Sequence, residues 1–442
     1  MLDRQKYSIG VEVEEGRSRV DRALQFARPV PDESLDAIVA ILDLVRRGRA
    51  HSRSEIIDKT GLSRAIVTQR VSELLARGFL SEAVAPSTGG RPPRQLAFRS
   101  DAGFVQVADV GATSVDVAVA DSTGTILGHY GEPADVAAGP TVVLRRVEEL
   151  FDTVLETVRP PGRLWGVGIG VPGPVEFSTA RPVSPPIMPG WDRYPVREHF
   201  TERYGAPVWV DNDVNVMALG EWRAGVARGH PNVIFVKVGT GIGSGIISDG
   251  VMHRGAQGSA GDVGHIQVLD DASVVCRCGK PGCLEAVAGG GAIGRDGDAL
   301  AHSGESLRLA EMLAQRSAIS AEDVSRAAGM GDPRARELLQ RSGRLVGQML
   351  AGLVNFFNPS LIVIGGGVAN AGDTYLAAIR GVIYERSMPL ATRDLLVQLS
   401  SLGSLAGVTG AAAMVLDQLF SQEHLARWID TGRPDVLALE AA

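Results

Sequence analysis

Three glycine-rich loops, each directly after a run of strand-forming residues, constrain the fold of this chain more than any other feature. They occupy residues 109–113, 238–245 and 364–368. Strands that alternate with helical stretches and glycine loops are typical of an α/β domain. Loop N–H groups and a threonine hydroxyl can bind phosphate, and an aspartate can lie beside a bound metal ion. The alternative for a single loop is a plain turn, but three such loops in this order favour a binding role. The residues predicted to bind a nucleotide are Asp109, Gly111, Thr113, Gly239, Thr240, Gly241, Gly243, Gly366 and Gly367.

The three cysteines of the chain, Cys276, Cys278 and Cys283, lie within eight residues. An odd number of cysteines at this spacing is no disulfide framework for a chain of 442 residues. The cluster therefore indicates a metal site. A free-thiol or redox role is the alternative.

The length of 442 residues exceeds what one hydrophobic core organises, so two or three folding units are expected. The formal net charge is -7, yet residues 33–100 hold 11 Lys and Arg against 7 Asp and Glu, a local balance of +4. The module at residues 33–100 is therefore expected to contact phosphate groups. No apolar stretch is long enough to cross a bilayer, and the charged first twenty residues lack a signal-peptide core. A cytoplasmic protein with no membrane partner is expected.

Residues 33–100 carry the pattern of a winged helix-turn-helix domain and follow an arm at 1–32 that mixes charges without a period. Apolar residues at helical spacing predict helices over 34–49 and 52–59. The turn at 60–62 then leads into a third helix. In helix-turn-helix domains this last helix enters the major groove by its N-terminal part.

The third helix has a polar, basic face opposite its apolar stripe, and Ser63 is placed to cap it. Two strand-like segments, 79–82 and 95–98, then flank a wing at 87–94. Arginines in a wing suit phosphates or a narrow minor groove. A three-helix protein-interaction module is the alternative. The predicted DNA contacts are Ser63, Arg64, Thr68, Gln69, Arg70 and Arg91.

From residue 33 onward the chain resembles the ROK family of repressors, open reading frames and sugar kinases. Besides the glycine loops, the resemblance rests on the motifs at 168–174, 211–215, 220–221 and 261–265 and on the cysteine cluster. It implies an α/β, actin-like two-lobed ATPase fold of the ribonuclease H-like class, preceded by an α+β winged helix-turn-helix domain. The implied parts are a small lobe at 101–217, completed by a C-terminal helix within 407–430, and a large lobe at 218–406 with the metal site.

The resemblance also implies a sugar site between the lobes. Family members use an aspartate matching Asp213 as general base for a sugar hydroxyl, and an asparagine matching Asn212 bonds a neighbouring hydroxyl. A carboxylate in hydrogen-bond reach both orients a hydroxyl and accepts its proton during phosphoryl transfer. Taken alone, such a cluster is usually a capped turn. The implied sugar-binding residues are Gly173, Asn212, Asp213, Asp262, His265 and Glu285.

His265 with Cys276, Cys278 and Cys283 matches the family's zinc ligands. One imidazole and three thiolates close a tetrahedral site without an open position for catalysis, so the Zn²⁺ is expected to be structural. The ion would fix the loop that bears His265 against the loop that bears Glu285.

Two positions depart from the family pattern. Asp262 stands where glutamate is usual, and its shorter side chain changes the reach of one hydrogen bond to the sugar. In the first glycine loop, Ala112 and Ser114 replace a glycine and a lysine. The second change is expected to weaken phosphate binding without abolishing it.

The resemblance predicts a sugar-responsive DNA-binding transcriptional regulator of carbohydrate metabolism genes, with repression as the expected output. Its expected partners are double-stranded operator DNA and a sugar or sugar phosphate. The alternative is an ATP-dependent, glucokinase-like hexose kinase with an accessory N-terminal domain, in which Asp213 is catalytic and ATP and Mg²⁺ are bound. A homodimer or homotetramer is expected because helix-turn-helix proteins usually read two half-sites.

Overall fold

The computed structural model describes residues 34–84, 94–432 and 434. The chain divides after Phe98 into two compact units, called here the N-terminal and the C-terminal unit. The predicted arm at 1–32 and the predicted wing contact Arg91 lie outside the described residues. Within the described ranges, no helix combines the length and apolar character needed to span a membrane.

The N-terminal unit contains three helices followed by two antiparallel strands. The hydroxyls of Ser52 and Ser63 cap the second and third helices by accepting bonds from backbone N–H groups. Between these helices Gly61 has a φ of 71°, a left-handed conformation that suits glycine. The elements are α1 (Ser34–Arg46), α2 (Arg53–Thr60), α3 (Arg64–Ala76), β1 (Leu80–Val84) and β2 (Arg94–Phe98).

Helix α1 ends at Arg46, before the predicted end at Arg49. Gly48 has a φ of 62°, which turns the chain, and the N–H groups of Arg49 and Ala50 both bond to the carbonyl of Leu44. The three helices enclose a small apolar core that includes the predicted stripe of α3. Its fully buried side chains include Ile41, Leu42, Ile56, Val67, Val71 and Leu74.

The small lobe of the C-terminal unit is built on a five-stranded sheet. Its elements are β3 (Gly103–Val110), β4 (Ser114–Asp121), β5 (Ile126–Pro133), α4 (Pro140–Val158), β6 (Arg163–Val171), β7 (Val175–Glu176), β8 (Arg181–Pro182), α5 (Val196–Tyr204) and β9 (Val208–Asn212). The strand order is β5-β4-β3-β6-β9, in which β3, β6 and β9 are parallel. The carboxyl ends of these three strands therefore lie at one edge of the sheet, where the first glycine loop and the segments after Val171 and Asn212 begin.

The large lobe has a second five-stranded sheet, of order β12-β11-β10-β13-β14. The elements after the small lobe are α6 (Asp213–Ala224), β10 (Val233–Val238), β11 (Ile242–Ser248), β12 (Val251–His253), α7 (Leu284–Ala288), α8 (Gly290–His302), α9 (Leu307–Leu313), α10 (Ala321–Gly329), α11 (Pro333–Phe357), β13 (Leu361–Gly365), α12 (Asp373–Arg386), α13 (Pro389–Thr392), β14 (Leu396–Leu399), α14 (Leu405–Leu419) and α15 (Gln422–Trp428). Here β10, β13 and β14 are parallel, so the second and third glycine loops share an edge.

Helices α6 and α14 connect the two sheets. The face of α6 that carries Val214 and Ala218 packs into the core of the large lobe with Phe235 of β10. Helix α14 lies against the small-lobe sheet, where a Cβ on Gly168 of β6 would come within 2.9 Å of the carbonyl oxygen of Ala411. The predicted lobe boundary at 217/218 falls inside α6. Two α/β lobes joined in this way have the fold class predicted from the sequence, which is confirmed.

Candidate functional site

A cleft of about 730 Å³ opens between the two lobes of the C-terminal unit. Its walls include the first glycine loop on the small lobe and the second and third loops on the large lobe. The predicted sugar-binding residues all line it, namely Gly173, Asn212, Asp213, Asp262, His265 and Glu285. Of the predicted nucleotide-binding residues, those lining it are Gly111, Thr113, Gly239, Thr240, Gly241, Gly243 and Gly367.

Two of the predicted nucleotide-binding residues lie behind the cleft wall rather than on it. Gly366 has a φ of 89°, and a Cβ there would come within 2.5 Å of the carbonyl oxygen of Val238. Glycine is therefore required to bring the third loop against the second. Asp109, at the end of β3, is buried, and its Oδ1 has no hydrogen-bond partner.

Hydrogen bonds of the Asn212 side chain stabilise the junction between β9 and α6. Its side-chain oxygen accepts bonds from the N–H groups of Val214 at 2.9 Å and Asn215 at 3.3 Å, which caps α6. Its Nδ2 donates to the carbonyl oxygen of Gly173 at 2.9 Å. These bonds fix the orientation of the amide and join two motifs that the sequence separates. The next residue, Asp213, is thereby presented to the cleft from the first turn of a helix.

Lys237, near the end of β10, is a cleft residue that the sequence analysis missed. Its Nζ donates to Oδ2 of Asp213 at 2.6 Å. Burial lowers the pKa of Lys237, but the charges of Asp213 and Asp109 raise it more, so the net shift is upward. For the carboxyl group of Asp109, burial acts in the other direction and raises the pKa to about 7, although the nearby charge of Lys237 lowers it. The cleft floor therefore contains an ammonium group held among carboxylates.

A second ion pair, between Arg254 and Asp211, was also missed. Asp211 is buried and accepts from the guanidinium of Arg254 at 2.8 Å and from Nδ2 of Asn215 at 2.9 Å. The guanidinium lies 3.9 Å from the ring centroid of Phe177. The only sequence signal was the 211–215 motif itself, because Arg254 lies on a distant loop. The pair braces the loop that leads to Asp262.

Glu285 and Asp262, two acidic residues on the large-lobe wall of the cleft, differ in how firmly their side chains are held. Oε2 of Glu285 accepts from the N–H of Ile242 at 3.1 Å, which ties the start of α7 to the second glycine loop. Asp262 is more open, and its side chain is 44% exposed. Its Oδ1 lies 4.0 Å from Nε2 of His265. Asp262 is thus free to turn toward a ligand, whereas Glu285 is positioned by the backbone.

The side chains of His265, Cys276, Cys278 and Cys283 converge at one point, with their ligand atoms within 4.8 Å of one another. The sulfurs of Cys278 and Cys283 are 3.7 Å apart, and Nδ1 of His265 lies 3.6 Å from the sulfur of Cys276. Metal–sulfur bonds of about 2.3 Å at tetrahedral angles place two sulfurs roughly 3.8 Å apart. The four donors therefore fit a tetrahedral metal ion. His265 turns Nδ1 to this cluster and Nε2 toward Asp262.

The predicted DNA contacts on α3 are not equivalent. Arg64, Thr68 and Gln69 are exposed. The hydroxyl of Ser63 caps the helix, where it accepts a hydrogen bond from the N–H of Ile66 at 3.3 Å. Nη1 of Arg70 donates to both carboxylate oxygens of Glu73 at 2.8 Å. Among these residues Arg64 is therefore the arginine presented most openly to a partner.

Known proteins with similar sequences and structures include transcriptional regulators and sugar kinases. The model of the ROK family matches residues 106–418. The xylose repressor of Caldicellulosiruptor bescii is 30% identical over 385 residues, which cover 86% of this chain and 95% of the repressor. Among solved structures, a ROK family transcriptional regulator homologous to the Mlc protein of E. coli has a TM-score of 0.75 at 27% identity and covers 90% of this chain and 99% of its own.

A solved ROK family glucokinase from Streptomyces griseus, in complex with glucose and AMPPNP, has a TM-score of 0.62 at 31% identity. It covers 71% of this chain and 99% of its own. The two regulators thus match more of the chain than the glucokinase does. The chain belongs to the ROK family.

Proposed function

We propose that this protein is a sugar-responsive transcriptional repressor that binds operator DNA through its N-terminal unit. The observation that carries the proposal is the extent of the match to the regulators. Residues 99–442 make up 344 of 442 residues, about 78% of the chain, so matches over 86% and 90% must extend into the N-terminal unit. The glucokinase matches 71% of the chain over nearly its whole length.

The geometry of the N-terminal unit supports DNA binding. Helices α2 and α3 are joined by a tight turn at Gly61 and are followed by an antiparallel strand pair, an arrangement that supports the proposed winged helix-turn-helix. The exposed N-terminal part of α3 carries Arg64, Thr68 and Gln69, whose side chains can bond base edges or phosphates. The apolar side of α3 is buried, so only the polar side is available to DNA.

The cleft of the C-terminal unit supports a sugar effector. Asn212, Asp213, Asp262 and Glu285 supply amide and carboxylate groups that suit the hydroxyls of a sugar, and all four line one cavity. Because both lobes contribute to the lining, a sugar that binds there favours one angle between the lobes over another. We infer that this change is the signal that reaches the DNA-binding unit, within a homodimer or homotetramer.

We infer that the metal is Zn²⁺ and that its role is structural. Three thiolates with one imidazole are a donor set that zinc prefers, and the tetrahedral fit leaves no open coordination position. When bound, the ion ties the loop of His265 to the start of α7, where Glu285 lies. The sugar-binding side chains on this wall are then held by the same cluster.

The proposal is tested by fluorescence anisotropy of the purified protein on DNA from upstream of its own gene. Hexoses, pentoses, amino sugars and their phosphates are added in turn. We expect sequence-selective binding that one of these sugars weakens or strengthens. Binding no tighter than to random DNA, whatever the sugar, would refute the regulator.

Arg64→Ala should weaken operator binding by about 1 to 3 kcal/mol if the guanidinium reaches a base edge, because a good bidentate contact carries that discrimination. The measurement is the anisotropy titration on operator and random DNA at one salt concentration. Arg49→Ala is a matched control, since Arg49 is exposed in the turn after α1. Equal operator affinity in the wild type and in Arg64→Ala would remove Arg64 from the interface.

A kinase is the second candidate, and the cleft supplies the observation that favours it. All three glycine loops border the cavity that Asp213 lines, as expected if a nucleotide and a sugar bind together. A coupled assay of ADP release with the same sugars tests this function. Sugar-dependent turnover without operator binding would favour the kinase over the repressor.

A further inference from the structure

The cleft floor holds a positive charge at the place where the glycine loops meet. Lys237 is on β10 immediately before the second loop, and its ammonium lies 2.6 Å from Oδ2 of Asp213. The side chain of Asp213 is 6% exposed and that of Lys237 is 22% exposed. Because β10 belongs to the large-lobe sheet and Asp213 directly follows β9, the pair also links the two lobes at the base of the cleft.

The ammonium is surrounded by more negative than positive charge. Besides Asp213, the carboxylates of Asp109 and Asp116 act on Lys237 electrostatically. Asp109 and Asp116 face each other in register on β3 and β4, and Asp116 bonds to Nε2 of His129 at 2.8 Å. At the cleft surface Lys237 therefore compensates Asp213, while Asp109 and Asp116, which do not line the cleft, act on it from behind.

This arrangement does not fit a magnesium nucleotide. Mg²⁺ requires a near-octahedral shell of oxygen ligands and is usually held by one or two carboxylates together with the phosphates. Asp213 is the carboxylate that lines the cleft at this position, with Asp109 buried behind it, and the ammonium of Lys237 is already bonded to Asp213. An ammonium donates hydrogen bonds and cannot serve as a metal ligand, and its charge repels a divalent cation. In the first glycine loop, moreover, Ser114 offers no cation to the phosphates.

We propose that Lys237 takes the place of a divalent cation in the cleft and makes the cleft a receptor for a neutral, unphosphorylated sugar that binds without a nucleotide. The inference rests on the proposed regulator function and specifies the chemical class of its effector. A hydroxyl can accept from the ammonium and donate to a carboxylate, so a neutral sugar can use both partners of the ion pair. A phosphate group at the same place meets the carboxylate of Asp213, and the ammonium beside it is already paired.

The experiment uses the full-length wild-type protein without DNA. Titration of a fluorescent ATP analogue is carried out with and without Mg²⁺, and calorimetry compares glucose and xylose with their phosphates. We expect Mg²⁺ to leave nucleotide affinity unchanged and at least one neutral sugar to bind at least about tenfold more tightly than its phosphate. Nucleotide binding that Mg²⁺ strengthens tenfold in the wild type, or preference for the phosphorylated sugars, would overturn the proposal.

Lys237→Met removes the charge and keeps a long apolar side chain. We expect Mg²⁺ to increase nucleotide affinity in this variant by at least about tenfold, because Asp109 and Asp213 then lack their cation. Lys59→Met, in α2, is the matched control and should behave as the wild type. An Mg²⁺ effect equal in Lys237→Met and Lys59→Met would contradict the assignment. If Lys237→Met does not fold, the wild-type titrations with and without Mg²⁺ still test the proposed role of Lys237.

The proposed regulator function and the proposed role of Lys237 are refuted by different results. Loss of operator binding would refute the regulator and leave the sugar and nucleotide titrations unaffected, since these contain no DNA. A wild-type cleft that binds Mg²⁺-nucleotide tightly would refute the role of Lys237 even if the protein binds its operator.

Discussion

Cys278→Ser should lose its metal and with it the ability to bind sugar. The hydroxyl of serine is a far poorer zinc ligand than a thiolate, so the affinity for Zn²⁺ should fall by more than about 100-fold. The loop of His265 then loses its link to the start of α7, and Glu285 and Asp262 lose their fixed separation. Zinc content by mass spectrometry and sugar affinity by calorimetry are the measurements.

Ser273→Ala provides the control for this experiment. Its hydroxyl lies on the same loop, is exposed and bonds only to Asp271 among the described residues, at 2.7 Å. It should retain a full complement of zinc and wild-type sugar affinity. Full zinc content in Cys278→Ser would show that the ligand set is wrong, and full sugar affinity without zinc would show that the metal does not support the cleft.

Glu221→Gln should lower the free energy of unfolding of the C-terminal unit by about 3 kcal/mol. Glu221, in α6, is fully buried, and one of its oxygens accepts from the hydroxyl of Ser400 at 2.6 Å and from the N–H groups of Ser401 and Leu402. The other accepts from the N–H of Val226 at 3.0 Å and the hydroxyl of Ser401 at 3.1 Å. Glutamine replaces one acceptor by a donor, so buried donors lose their partners.

Urea unfolding followed by tryptophan fluorescence measures this loss. Glu423→Gln is the control, because its side chain is 70% exposed and, among the described residues, forms a surface ion pair with Arg427. Its effect should stay within about 0.5 kcal/mol. If both variants unfold at the same urea concentration, the buried carboxylate does not hold the segment between β14 and α14 as the geometry indicates.

Local signals were readable from the sequence. The cap at Ser63, the turn at Gly61 and the stripe of Val67, Val71 and Leu74 depend on neighbours within a few residues, and the helices lie close to where these patterns predict them. The cysteine cluster is equally local, because three ligands fall within eight residues. Its fourth donor, His265, and the sugar-site residues were implied by the family resemblance.

Pairs that form only in the folded chain were not readable. Lys237 and Asp213 are 24 residues apart, Arg254 and Asp211 are 43 apart, and Glu221 meets Ser400 across 179 residues. In the sequence each of these side chains resembles an ordinary charged or polar residue. Their partners are determined by the alignment of two separate sheets, and no local pattern encodes that alignment. The end of α1 at Arg46 was missed for a smaller reason, the turn at Gly48.

The placement of α14 affects the order in which the chain can fold during synthesis. The small-lobe strand β6 is covered by α14, and Trp165 at its start contacts Trp428 with ring centroids 5.6 Å apart. The described core of the N-terminal unit, by contrast, is complete once Phe98 has left the ribosome. A nascent chain can therefore present a folded N-terminal unit while its C-terminal unit still lacks its last helices. Ribosome-stalled chains that end before Leu405 should expose the bare face of β6 to chaperones.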